Sequence, residues 1–232
     1  MSETELAQRL GVVREKIALA AKNASRPVGD IQLVVVTKNH GADLVLDLLR
    51  LGESNFGENK DQEASAKAEL VKSQLDSSLP TPTWHFVGQL QSNKVRSMLH
   101  YSEVLHSLDR DSLLKELIKQ LAKSPDQKLK TFIELNLTED PNRGGVNPQD
   151  LKEFAHKVSA CQQLELLGVM GVVGLGVEPS LDFERIATAS NLLRRSYPEA
   201  KFISAGMSGD FEEAIAFGAT HLRIGTAITG KR

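Results

Sequence analysis

The 232-residue sequence predicts an α/β fold: a single (β/α)8 TIM-type barrel with an extra N-terminal helix, in one domain spanning residues 1–232. Three observations carry that expectation. Short apolar runs alternate with single helical patterns about eight times, as in a parallel sheet whose strands are joined by crossover helices. The clearest run, residues 31–36, is almost continuously aliphatic and β-branched, as required of a strand covered on both faces. The length lies near the ~250 residues usual for a closed barrel and leaves no room for a second domain. An open doubly wound sheet is the alternative arrangement of the same elements.

The elements follow in order. Leu6, Leu10, Val13 and Ile17 recur at helical spacing, so residues 2–21 form an amphipathic helix that Ser2 or Thr4 caps. Residues 25–30 break it before the strand at 31–38. A helix over 42–51 closes at Gly52, a short strand covers 54–57, and a charged helix runs over 60–75. The Lys/Glu pattern of that helix reads as a solvated face. A loop with two prolines leads to a strand at 84–88, a short helix at 93–99 and a strand at 103–107. Asp109 or Asp111 opens the next helix, built on Leu113, Leu114, Leu117, Ile118 and Leu121. A strand at 129–137 precedes a polar loop to 147, and Pro148 suits the first turn of a helix reaching Cys161. The remaining units are a strand at 164–173, a helix at 183–196, a strand at 201–204, a helix at 211–217 and a last strand at 220–224.

Composition narrows the function classes. With 28 Lys and Arg against 30 Asp and Glu, no bulk charge draws the chain to nucleic acid or an acidic membrane. One cysteine, Cys161, excludes an internal disulfide and fits a reducing cytoplasm, the expected location. No signal peptide or spanning segment is visible. His100, His106, His156 and His221 are scattered without metal-ligand spacing, so no metal is expected.

If the strand ends at one rim build the site, they supply Lys38, Asn59, His85, Asn136, Met170, Ser208 and Arg223 with Gly225 and Thr226. Lys38 ends the most aliphatic run, and a lysine partly desolvated there by Val34 and Val36 is a nucleophile for a carbonyl. Glycine-bearing loops after strands seven and eight, with the Ser208 and Thr226 hydroxyls, suit a phosphate. Together they indicate a phosphorylated aldehyde or ketone, either pyridoxal phosphate or a sugar phosphate. An aldolase would further need an acid–base carboxylate or tyrosine at the barrel mouth, and none is evident. His85 inside Trp84-His85-Phe86 reads equally as a core histidine, and Met170 as core.

Trp84-His-Phe-Val-Gly-Gln-Leu-Gln-Ser-Asn-Lys94, Phe56-Gly-Glu-Asn59, Gly206-Met-Ser-Gly-Asp210 and Arg223-Ile-Gly225 closely resemble the pyridoxal-phosphate homeostasis protein family. The resemblance runs from about residue 6 to 230. It implies a barrel like that of alanine racemase or ornithine decarboxylase, without their second, β-rich domain. It further implies pyridoxal 5'-phosphate (PLP) held covalently on Lys38 as a Schiff base. Ser208, Gly225 and Thr226 would hold the phosphate, Arg223 would face the pyridine nitrogen, and Asn59 and His85 would lie near the ring. Lys60, Arg143-Gly-Gly145 and Thr229 depart from the family pattern. The implied role is homeostasis of vitamin B6 and amino acids without efficient turnover, with no catalytic residues assigned. A racemase-like enzyme is the alternative, since a guanidinium at the ring nitrogen weakens the electron sink but permits racemisation. Tyr101, Tyr197 and Cys161 are not expected over the ring. Amino acids and apo PLP enzymes are the implied partners, and a monomer is expected.

Overall fold

The computed structural model describes residues 2–138 and 143–230. Eight parallel strands close into a barrel in chain order. Helix α1 (Glu3–Asn23) leads into β1 (Gln32–Val36), α2 (Ala42–Arg50), β2 (Asn55–Glu58), α3 (Asp61–Gln74) and β3 (Thr83–Phe86). Then come α4 (Val95–Met98), β4 (Val104–Leu108), α5 (Asp111–Leu121), β5 (Leu129–Glu134), α6 (Leu151–Ser159) and β6 (Leu164–Met170). The last units are α7 (Pro179–Ser196), β7 (Phe202–Ser204), α8 (Phe211–Ala216), β8 (His221–Ile224) and the short α9 (Thr226–Thr229). Closure is made by β1, which pairs with β2 on one side and β8 on the other, setting Val35 against Phe56 and Ile224. The open-sheet alternative is thereby excluded.

Each helix follows from its apolar stripe. In α1, Leu6, Leu10, Val13 and Ile17 are all at most 5% exposed, and the Ser2 hydroxyl accepts the Glu5 N–H at 3.2 Å. That stripe lies across α8 and α9, tying the N-terminal helix to the end of the barrel sequence. Most of the core is a continuous layer between strands and helices. A second cluster, Val104, Phe132, Leu167 and Met170, fills the barrel itself, with Phe132 edge-on to His221.

Several boundaries differ from the periodicity. Strand β1 stops at Val36, so Lys38 stands in the following turn, not on the strand. Pro148 precedes α6 by three residues instead of opening it. Helix α7 starts four residues before its first core residue, Phe183, because Pro179 sits at its N-terminus and Asp182 turns inward to accept the Gly174 N–H at 2.8 Å. Among the described residues no helix is long and apolar enough to cross a membrane. None of their His, Cys, Asp and Glu side chains group to hold a metal ion.

Candidate functional site

The C-terminal rim of the barrel carries Lys38, and the structure fixes the backbone on both sides of it. Thr37 is fully buried; its hydroxyl donates to Glu58 Oε1 at 2.6 Å, and its carbonyl accepts Lys67 Nζ at 2.8 Å. Lys67 Nζ also donates to Glu58 Oε1 at 2.5 Å and to Glu63 Oε1 at 3.1 Å. Asn39, in the left-handed region at φ 64°, donates its N–H to the same Glu63 oxygen at 2.5 Å. One Glu58–Lys67–Glu63 network therefore grips the residues before and after Lys38, whose own side chain is exposed. Lys38 is thus exposed and not packed against Val34 and Val36 as expected, while its turn is held on both sides. Lys67 is only 4% exposed, so the charge pattern of α3 is not simply a solvated face. Burial pushes the Glu58 carboxyl up, and its bonds to Lys67 and Thr37 oppose that rise.

Beside Lys38, across the β1–β8 seam, lie the glycine loops. Gly206 has φ 90°, and a Cβ there would meet the Ala214 Cβ at 2.8 Å, so this turn accepts only glycine. Asp210 occupies the N-cap position of α8, but its carboxylate turns back to accept the Met207 N–H at 2.6 Å, tightening the loop. The Ala227 N–H donates to Ser208 Oγ at 3.3 Å, joining the β7 loop to α9. A Cβ on Gly225 would lie 3.3 Å from the Val36 carbonyl, which brings the ends of β8 and β1 together. Thr226 is exposed and Ser208 half-buried. A groove of about 280 Å³ runs up to Ser208 and Ala227 and is lined by Arg9 and Lys16 of α1, which are paired with Glu5 at 2.8 Å and Glu212 at 3.0 Å.

Arg223, in register with Val34, is 5% exposed. It donates to Ser204 Oγ at 2.5 Å and to the Gly171 carbonyl at 2.9 Å. Among the described residues it makes no ion pair. Burial pulls its guanidinium down to about 10, with Glu134 and Asp210 offsetting part of the effect. At neutral pH it remains a cation held by neutral acceptors.

Asn59 follows β2, and its Oδ1 is buried without a protein partner, as is Glu58 Oε2. Asn59 borders a cavity of about 410 Å³ shared with Lys60, Gln89, Gln91 and Lys94, which gives the Trp84–Lys94 motif a place at the rim. His85 lies lower, 1% exposed inside the barrel, with both ring nitrogens engaged by His106 and Asn55. It has no nitrogen left for a ligand. Met170 is buried in the interior cluster. Asn136 closes its own loop, donating to the Arg143 carbonyl at 2.9 Å and accepting the Thr138 N–H at 2.9 Å. The Tyr101 phenol is turned to Asp61 at 3.4 Å, and burial pushes it up.

One rim residue escaped the sequence reading. Glu134 ends β5, two residues beyond Phe132, whose ring meets His106 and His221 inside the barrel; Glu134 therefore faces the interior too. Burial pushes its carboxyl up to about 7, Asp109 adds to the rise, and Arg223, Arg143 and Arg110 oppose it. The available signal was a carboxylate closing the apolar Phe132-Ile133 pair of a strand that also carries Lys130.

The residues present fit a phosphorylated pyridine aldehyde. There is an exposed amine on a fixed turn, a cup of small residues where two strand ends converge, a buried cation and an orphaned amide oxygen.

Residues 9–232 match the family described as alanine racemase, N-terminal domain. The chain is 38% identical over 239 residues to the pyridoxal phosphate homeostasis protein of Mycobacterium leprae (strain TN), covering 98% of this chain and 93% of that protein. It is 34% identical over 232 residues to the protein of the same name from Escherichia coli (strain K12), covering 98% and 97%. The structure of PipY from Synechococcus elongatus PCC7942 with PLP bound is similar at a TM-score of 0.83 and 31% identity, covering 97% of this chain and 100% of that one.

Proposed function

The chain belongs to the pyridoxal phosphate homeostasis protein family, and from that premise we propose that it binds PLP covalently through Lys38 and holds it without efficient turnover. The observation that carries this reading is the fixed turn of Lys38 beside the Ser208–Thr226 cup, with Arg223 buried close by. Bound PLP would supply an electrophilic aldehyde carbon, for which a primary amine beside it is the covalent holder. Lys38 provides that amine. The Ser208 and Thr226 hydroxyls and the backbone at Gly225 hold the phosphate, and Arg223 donates to the ring nitrogen. Asn59, whose buried Oδ1 has no protein partner, meets the ring substituents. His85 acts from below, through its neighbours. The protein works as a single barrel domain over residues 1–232, a cytoplasmic monomer that exchanges cofactor with apo enzymes and amino acids, supporting homeostasis of vitamin B6 and amino acids.

Borohydride reduction of the PLP-loaded protein followed by peptide mapping tests the assignment. The label is expected on Lys38 and absent in Lys38→Ala; a principal adduct on another lysine in the wild type overturns it. Transfer of cofactor to an apo enzyme, followed as regained activity, tests the carrier role.

A racemase-like activity is the second reading, favoured by one observation. Strand β5 lies four strands from β1 in either direction round the barrel, so Glu134 stands across the mouth from Lys38 with a carboxyl near neutrality. Loss of the α-deuteron from a labelled amino acid, abolished by Glu134→Gln, would establish it over the carrier reading.

A further inference from the structure

Below the rim, six side chains form a continuous hydrogen-bonded path through the barrel interior. Arg223 Nη1 lies 2.5 Å from Ser204 Oγ, which lies 2.7 Å from His106 Nδ1. His106 Nε2 lies 2.9 Å from His85 Nδ1, and His85 Nε2 lies 3.1 Å from Asn55 Oδ1. Gln32 Nε2 meets the same amide oxygen. Ser204, His85 and His106 are at most 1% exposed.

The chemistry of the ends dictates one direction for every proton along this path. An amide oxygen only accepts, so His85 must carry its hydrogen on Nε2. Its bare Nδ1 then accepts from His106 Nε2–H. His106 in turn has a bare Nδ1, which takes the Ser204 hydroxyl hydrogen. That leaves the Ser204 oxygen free to accept from Arg223, which can only donate. Each donor thus meets one acceptor, and both imidazoles are neutral. Burial depresses both rings, His85 to about 3, so both imidazoles stay uncharged at physiological pH and Arg223 is the one cation on the path.

We propose that Ser204, His106 and His85 are positioning residues: a polarised path anchored on Asn55 and Gln32 that aims the Arg223 guanidinium and keeps its remaining N–H groups for a ligand's ring nitrogen. A carboxylate partner for Arg223 would neutralise its charge and compete for those donors. Neutral acceptors fix the orientation without an ion pair, and Glu134 and Asp210 act on the guanidinium only from beyond contact. With the Gly171 carbonyl as second anchor, the guanidinium plane is held at two points. The inference rests on the proposed role of Arg223.

Two measurements test it separately from that role. In the ligand-free protein, ¹⁵N shifts of the imidazoles should report the Nε2–H tautomer for both His85 and His106, with no titration between about pH 5.5 and 9. An Nδ1–H tautomer at either ring overturns the path. The second measurement compares the affinity for PLP with that for the analogue carrying carbon in place of the ring nitrogen. Wild type should prefer PLP, and Ser204→Ala and His106→Phe should each reduce that preference about tenfold or more, the equivalent of one charge-assisted hydrogen bond. His106→Gln, which can accept from Ser204 and donate to His85, should retain most of it. Equal weakening of both ligands in Ser204→Ala and His106→Phe, or an unchanged preference, overturns the inference. A wild type that binds PLP and its analogue equally overturns the role of Arg223 with it, and one that binds neither overturns the proposed function itself.

Discussion

Replacing Lys67 with methionine should destabilise the protein strongly, and in a pH-dependent way. Methionine matches the length of the lysine stem and fills the same space, so the change removes the ammonium with little cavity. Three acceptors each lose one donor: Glu58 Oε1, the Thr37 carbonyl and Glu63 Oε1, the last of which keeps the Asn39 N–H. Glu58 is fully buried, its Oε2 has no other partner, and only the Thr37 hydroxyl would still satisfy Oε1. Removing one partner of a buried ion pair costs about 3–5 kcal/mol, which in a chain of this size lowers Tm by roughly 6–20 °C. The pH dependence has a definite sign. Glu58 already has a raised carboxyl, so its contribution to stability is complete below the ordinary carboxylate range and is lost as pH rises through its folded value. Without Lys67 that value rises further. The deficit of Lys67→Met should therefore be larger at pH 8 than at pH 5, because it shrinks as the pH falls through the raised value of Glu58. Thermal unfolding of both proteins at the two pH values measures this. A Tm within 2 °C of wild type at pH 8, or a deficit equal at both pH values, would refute the buried network. Borohydride trapping on Lys38 should also slow in the variant, because the Thr37 carbonyl loses its anchor.

Removing both the Ser208 and Thr226 hydroxyls should weaken PLP by roughly a hundredfold or more, at ~1.5–3 kcal/mol for each charge-assisted bond, while affinity for unphosphorylated pyridoxal changes little. Equal losses for the two ligands would put the phosphate elsewhere. Asn59→Ala removes a buried oxygen that has no protein partner, so the ligand-free Tm should hold or rise while PLP affinity falls. A lower ligand-free Tm with unchanged affinity would give Asn59 a purely structural role. Glu134, whose carboxyl is raised to about 7, contributes stability that is complete below its unfolded value and is lost as pH rises through 7. Glu134→Gln should consequently be more stable than wild type at pH 8.5, with the advantage fading by pH 4.5; thermal melts at both values check it.

What the sequence determined by itself was everything governed by local periodicity and turn chemistry. The alternation of strands and helices, the stripe of α1 and the glycine loops after β7 and β8 depend on neighbours a few residues apart, and those signals survive in one dimension. Lys38 was legible for the same reason, as a lone charge closing an aliphatic run. Glu134 was not marked in that way, because its strand also carries Lys130 and the apolar pattern continues to Leu137, whereas the strand ends at Glu134. Partners distant in sequence were not legible. Lys67 sits in a helix of mixed charges, and only the packing of α3 against β1 and β2 turns it from a surface lysine into a buried clamp on Thr37. His85 and His106 share no spacing with each other or with Ser204 and Arg223. Closure of the barrel alone brings β3, β4, β7 and β8 round one interior and sets those side chains in a line. A buried polar group must find its partner wherever the fold supplies one, and that choice is made by tertiary geometry.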